Sequence, residues 1–270
     1  MTRQRIPAGK SQSGVALVLL LVVLIMAGAF AFYRIAGIGS GPAEQDARLA
    51  ATLARAKEAL IARAVTDANR PGSLPCPDTS GNGNADLFVG AAAGECPSYV
   101  GRLPWVTLDL PELTDDTGTR LWYALSRNLR DHDSAQPINS DTTPALRIDG
   151  GGEIAAVIIV PRAALPGQTR PSNNAADYLE GDNANGDDNF VSGPPSPSFN
   201  DMVVTVTRQE LMAAVEKRVA NEVRACLEEH ASSTLENPAQ TYPWPAPLSN
   251  STLKGTAQSL FGMIPATQPG

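Results

Sequence analysis

The hydrophobic pattern divides the chain into one long apolar run, two amphipathic stretches and several short apolar segments. From Gly14 to Tyr33 runs GVALVLLLVVLIMAGAFAFY, 20 residues without a charge. As a helix such a run spans a bilayer core of ~30 Å. Ile38-Gly39-Ser40-Gly41-Pro42 breaks it. Helical periodicity resumes from Ala43 to about Ala68, with Leu49, Leu53, Ala56, Leu60 and Ala64 on one face. Asn69-Arg70-Pro71-Gly72 ends this helix, and a loop region follows to about Gly101. Leu103 to Leu108 and Leu121 to Leu125 read as short strands, the second equally as a helical turn. Glu153 to Val160 (EIAAVIIV) is continuous, apolar and rich in β-branched residues, the pattern of a buried strand. Met202 to Thr207 is another strand. Thr207-Arg208-Gln209-Glu210 is a capping box, which predicts a helix from Arg208 to about His230. Its expected buried face is Leu211, Val215, Val219, Ala220, Val223, Cys226 and Leu227. Between the last two strands lies a polar loop, about 170–200, rich in Asn, Asp, Gly and Pro. Pro238, Pro243, Pro245 and Pro247 preclude a regular helix near the end.

Composition narrows the class. The 43% hydrophobic content excludes a wholly disordered chain, and one apolar run excludes a polytopic membrane protein. With 23 Gly and 22 Pro in 270 residues, few long helices survive outside those named. The net charge of −7 argues against nucleic acid as the partner. That charge is unevenly placed. Arg3, Arg5 and Lys10 all precede the apolar run, so without residues 1–14 the value falls to −10. Positive charge stays cytoplasmic, which sends the acidic body outward.

Three readings of this N-terminus are open. A secretory signal peptide would be cut near Ala29-Phe30-Ala31. A signal anchor needs only hydrophobicity. The third rests on particular residues: the polar leader closes with Gln12-Ser13-Gly14, and the apolar helix starts at once with Val15-Ala16-Leu17. This resembles the class III signal of type IV pilins and type II secretion pseudopilins. The resemblance implies cleavage by prepilin peptidase between Gly14 and Val15, methylation of the new amino terminus, and a helix over 15–36 that is membrane anchor first and filament core later. Most members carry Glu at the fifth mature position, where this chain has Leu19. A tip-located pseudopilin lacks that Glu too, so the resemblance implies a minor or tip subunit. The RPGSLPCPD block at 70–78 and GRLPW at 101–105 resemble poorly characterised pilin-like proteins, without an activity attached.

The cysteines fit an exported body. Cys76 and Cys96, with 19 residues between them, read as a disulfide. Cys226 reads as a buried thiol or an interchain partner. Asp78, Ser80 and Asn82 alternate before Gly83 in a D-x-S-x-N-G pattern, the first half of an EF-hand-like calcium loop. The bidentate Glu of such a loop is missing, since Val89 stands there, and Asp86 would have to substitute. The same residues read as an Asx-rich turn without metal. A second acidic cluster, with Asp182, Asp187 and Asp188, is a further Ca²⁺ candidate or a solvated loop. Some pseudopilins hold Ca²⁺ in a late loop, which the resemblance carries to both clusters. For catalysis there is little. His132, in a polar loop between Asp131 and Asp133, and His230, ending a helix, are the two histidines. No Gly-x-Ser-x-Gly, Walker A, dinucleotide or H-E-x-x-H motif occurs. Trp105, Trp122 and Trp244 would either line a binding surface or pack over a core edge.

These readings predict an α+β, pilin-like fold. A long N-terminal helix, membrane-spanning and then amphipathic, packs on a mainly antiparallel sheet, with a second helix near residues 208–230. The organisation is a leader over 1–14, the apolar helix over 15–36 and an exported body over 43–270. The expected function is that of a minor pilin or pseudopilin, not an enzyme. It would sit in the inner membrane with its N-terminus cytoplasmic and its body periplasmic, then join a filament. Its partners would be other pilin subunits, prepilin peptidase and the membrane. The alternative is a membrane-anchored or secreted binding module for a glycan or surface ligand.

Overall fold

The computed structural model describes residues 13–36, 41–88, 94–132, 137–235 and 237–247. The chain divides into two compact units, Met1–Ala50 and Ala51–Gly270. The first holds helix α1 (Ser13–Ala36) and the opening turns of helix α2 (Pro42–Thr66). Side chains of α1 are described for residues 17–28, and every large apolar one among them is exposed, from 45% at Val22 to 68% at Met26. No helix is long and apolar enough to cross a membrane among the described residues, which for the side chains of α1 are 17–28 alone. Residues 1–12 of the predicted leader, and Ile38-Gly39-Ser40 of the predicted break, lie outside the described residues. α2 starts at Pro42, one residue before the periodic pattern, because proline at the first helical position loses no hydrogen bond. The Gly41 carbonyl accepts from Glu44 and Gln45 N–H at 2.8 and 3.1 Å.

In the second unit the rest of α2 buries the expected face. Leu53, Ala56, Leu60 and Ala64 are at most 1% exposed. Each buried leucine side chain there stabilises by about 1.5–3 kcal/mol. The helix ends where the Asp67 carboxylate takes Asn69 and Arg70 N–H at 2.9 and 2.7 Å, with Arg63 at 2.6 Å.

The remaining elements form a mixed α/β body around one open, curled, six-stranded sheet. They are β1 (Val100–Arg102), β2 (Trp122–Leu125), β3 (Leu146–Ile148), β4 (Gly151–Val160), β5 (Asn189–Phe190), β6 (Met202–Thr207) and helix α3 (Arg208–Ser232). β4 organises them. One edge pairs with β6 from Ile154 to Val160. The other is shared, with β3 along its start and β2 along its end. β1 lies outside β2 and β5 outside β3. Only β3 with β5 is parallel. Ile154 to Val160 are all buried, as the β-branched run predicts.

Alternation along β2 and β4 sorts their side chains onto two faces. Trp122, Ala124, Val157 and Ile159 pack on one face with Tyr178, Leu179 and Phe190. The covering residues come from the segment expected to be a polar loop. It is locally ordered, with short 3-10 turns at Ala175–Asp177 and Gly181–Ala184 and with strand β5. On the other face Tyr123 is fully enclosed and donates its hydroxyl proton to the Pro75 carbonyl at 3.1 Å.

Three expectations are corrected here. Leu103 to Leu108 is a turn and not a strand, with Trp105 N–H on the Leu103 carbonyl and Leu108 N–H on that of Pro104. Leu103 and Leu108 are still buried, so the apolar run marked burial and not extension. α3 has its capping box, Thr207 and Glu210 bonding reciprocally at 3.0 and 3.2 Å, but buries only Leu211, Met212 and Val215. Val219 is 41% exposed and Cys226 is an exposed free thiol, not a buried one. The apolar stripe identifies the face that would pack, while the body ends sooner than the stripe does.

Candidate functional site

The segment after α2 is built on the disulfide and on one carboxylate. Cys76 and Cys96 are joined, with Cα atoms 5.5 Å apart, and both are buried. Two residues on, the Asp78 carboxylate is 1% exposed and turned onto the backbone of its own loop. Oδ1 accepts from Gly81 N–H at 2.7 Å, Asn82 N–H at 3.3 Å and the Ser80 hydroxyl at 3.0 Å. Oδ2 accepts from Gly83 N–H at 2.7 Å. Asp86 accepts from Thr79 N–H at 3.0 Å and from the Thr79 hydroxyl. The oxygens read as calcium ligands therefore serve main-chain and hydroxyl donors in an Asx-type turn. Gly83 is required there: its φ is +83°, and a Cβ would lie 2.6 Å from the Trp105 ring.

The second acidic cluster is dispersed. Asp187 caps Asn189, whose N–H and side-chain amide lie at 2.7 and 3.2 Å and hold the carboxyl below its usual range. Asp188 lies 3.5 Å from an Arg127 Nη2. Asp182 sits in the first turn of the 3-10 segment beginning at Gly181. Among the described residues no group of three His, Cys, Asp or Glu side chains is placed to hold a metal ion.

Two carboxylates of this region face inward instead. Glu180 is 7% exposed and Asp201 3%. Each accepts from the backbone of the other: Asp201 Oδ2 from Glu180 N–H at 3.0 Å, Glu180 Oε2 from Asp201 N–H at 3.1 Å. Asn183 Nδ2 adds a bond to Asp201 Oδ2 at 2.9 Å, and Gln168 Nε2 one to Glu180 Oε1 at 2.8 Å. Asp201 Oδ1 is buried without a partner. Burial, with the nearby Glu180 charge adding, pushes the Asp201 carboxyl up to about 8 against the lowering bonds from Asn183 and the Glu180 backbone. The clasp thus holds the carboxyl proton above the pH at which an ordinary carboxyl loses it. This clasp ties the start of β6 to the covering segment.

The same Asx-type turn makes one wall of a cleft of about 660 Å³. Asp78 exchanges both backbone hydrogen bonds with Arg102 of β1, at 2.9 and 2.8 Å, which places Ser80 and Gly81 beside the Arg102 side chain. Gly101 permits this approach, since a Cβ there would lie 3.0 Å from the Asp78 carbonyl oxygen. Arg102 donates to the Asn173 side-chain oxygen at 3.0 Å and the Ser172 carbonyl at 2.5 Å. Its guanidinium carbon stands 5.5 Å from the Trp122 ring centre and 5.6 Å from that of Tyr178. Arg170 stacks on Tyr178 at 4.7 Å and donates to the Asp177, Tyr178 and Arg162 carbonyls and to Gln168. Arg120 pairs with Glu112 and donates to the Gly81 carbonyl at 2.5 Å. A Cβ on Gly81 would sit 3.4 and 3.5 Å from the Nη1 atoms of Arg102 and Arg120, so both guanidinium groups flank that glycine. The lining holds three arginines and no carboxylate or histidine. Ser80, Thr119, Ser172 and Asn173 add hydroxyl and amide groups, beside Pro171 and Tyr178. Such an arrangement binds negative charge, and guanidinium forks match planar carboxylates best.

Of the other predicted residues, Trp122 is a core residue, Trp105 packs half-buried over Gly83, and Trp244 is 47% exposed. His132 lies edge-on against Phe88, with ring centres 4.5 Å apart, and not in open solvent. Gly14 and Val15 fall in the first turn of α1. The three arginines went unnoticed in the sequence, because they come from three separated segments and no spacing links them. No family model matches the chain, and neither a curated protein nor a solved structure matches it.

Proposed function

We propose that the chain is a membrane-inserted filament subunit of the type IV pilin and type II secretion pseudopilin kind, with a structural and not a catalytic role. The observation that carries this reading is the uncovered apolar surface of α1, where Leu17 to Met26 are each 45–68% exposed. Leaving such a surface in water costs about 25 cal/mol per Å². Lipid covers it before assembly, and the equivalent helices of neighbouring subunits cover it afterwards. The Gly14–Val15 junction directly precedes that surface, where prepilin peptidase would cut and leave the helix on the body. The basic leader keeps the N-terminus cytoplasmic. The Cys76–Cys96 disulfide suits a periplasmic body. Leu19 leaves the first mature turns without the carboxylate that would pair with a neighbour's amine, which favours a minor subunit at a filament end.

N-terminal sequencing of the mature protein tests this. The expected first residue is Val15, and Gly14→Ala abolishes processing. A mature chain beginning at Phe32, or a wild-type chain that keeps its leader, overturns the reading.

A further inference from the structure

We infer that the cleft lined by Arg102, Arg120 and Arg170 binds a small acidic saccharide, a polyhydroxylated ligand carrying carboxylates. The inference does not depend on the filament reading, since it uses only residues of the second unit.

Charge is the first argument. The chain past residue 14 has a formal charge of −10, yet three cations converge on one cleft whose lining has no acid. Arg120 has Glu112, but Arg102 and Arg170 make no ion pair among the described residues. Asp177 stays beyond ion-pair range of Arg170 and is itself held below the usual carboxylate range, first by Ser172 and then by Thr169 N–H. The charge of Arg102 is thus left for a ligand to neutralise, while that of Arg170 is offset only through space by Asp177.

Unspent donors are the second. A guanidinium has five N–H groups. Arg102 uses two of them on Asn173 and Ser172, and Arg120 uses two on Glu112 and Gly81. A purely structural role, latching the 170–178 segment to the sheet, accounts for the bonded N–H groups. It leaves the remaining ones, and the charge, unexplained. Stacking on Trp122 and Tyr178 holds the guanidinium planes in place before any ligand arrives, which lowers the ordering cost of binding.

The lining selects the ligand class. Beside the arginines, Pro171 and Tyr178, it offers hydroxyls and an amide, which suit sugar hydroxyls. The volume lies within the ~300–1,000 Å³ typical of small-ligand sites.

Calorimetry on the full chain in neutral detergent, with trigalacturonate as probe, tests the assignment. Trigalacturonate is expected to bind and to weaken as salt rises, while galactotriose and inorganic phosphate give no comparable heat. Arg102→Gln is expected to weaken binding at least about tenfold. Because Arg102 also holds Ser172, Thr119→Glu is measured alongside it. That variant keeps all three arginines and places a competing carboxylate in the cleft, and the same loss is expected with an unchanged melting temperature. Three results would overturn the inference: no binding of trigalacturonate by folded wild type at millimolar concentration, full binding by Thr119→Glu, or equal binding of galactotriose or phosphate.

Discussion

The clasp between Glu180 and Asp201 makes stability depend on pH in a way that one substitution removes. In the folded protein burial keeps a proton on Asp201 up to about pH 8. In the unfolded chain the same carboxyl loses it near its ordinary 3.8. Between those values the native state binds one proton more than the unfolded state, so stability falls as pH rises. For one proton the slope is about 1.4 kcal/mol per pH unit. The loss begins above the unfolded value and levels off above the folded one. Asp201→Asn keeps a side-chain oxygen for Glu180 N–H and Asn183 Nδ2, and it cannot ionise. Its NH2 group takes the place of Oδ1, which has no partner in the wild type. Urea unfolding of both proteins at unit steps from pH 5 to 9 measures the difference. The variant is expected to lose this component of the slope, and to gain on wild type as pH rises. Identical slopes for the two proteins would refute a native-state proton on Asp201.

Three further outcomes follow from the same structure. Leu60→Ala, at a fully enclosed position on α2, should lower unfolding free energy by about 2–5 kcal/mol in denaturant titration. Replacing Cys76 and Cys96 together with serine should cost about 3 kcal/mol, and reductant should no longer lower the melting temperature of that variant. Millimolar Ca²⁺ or EDTA should leave the melting temperature unchanged, because Asp78 already serves four donors; a shift of several degrees that Asp78→Asn removes would contradict this.

The strands β4 and β6 and the start of α3 were legible because each carries its signal locally: a β-branched apolar run in the strands, a capping box in the helix. The Cys76–Cys96 pair was legible for the same reason. β3 was missed although its hairpin is written in Asp149-Gly150, two residues at φ +52° and +78° between paired strands. The D-x-S-x-N-G segment was ambiguous in kind. Alternating oxygens suit a cation or a set of turn amides equally, and in the structure Asp78 serves turn amides. The far half of α3 misled because hydrophobic periodicity reports a face and not the extent of its partner. The arginine cleft was illegible altogether. It depends on β1, the 118–120 turn and the 170–178 segment meeting in space, and arginines scattered through a sequence read as ordinary solvated charge.

The shared strand β4 has a consequence for how the chain matures during synthesis. Ile154 to Val160 form seven consecutive buried residues without charge, proline or glycine. When they emerge, β2 and β3 are already available for one edge. The other edge waits for β6, which lies beyond the whole 161–201 excursion. Until then an apolar strand presents unpaired N–H and C=O groups, the template on which chains stick to one another. The time that the excursion takes to emerge and fold therefore sets the window for self-association. Tyr178, Leu179 and Phe190 ride on that same excursion, so one face of β4 as well as its second edge stays uncovered until it is in place.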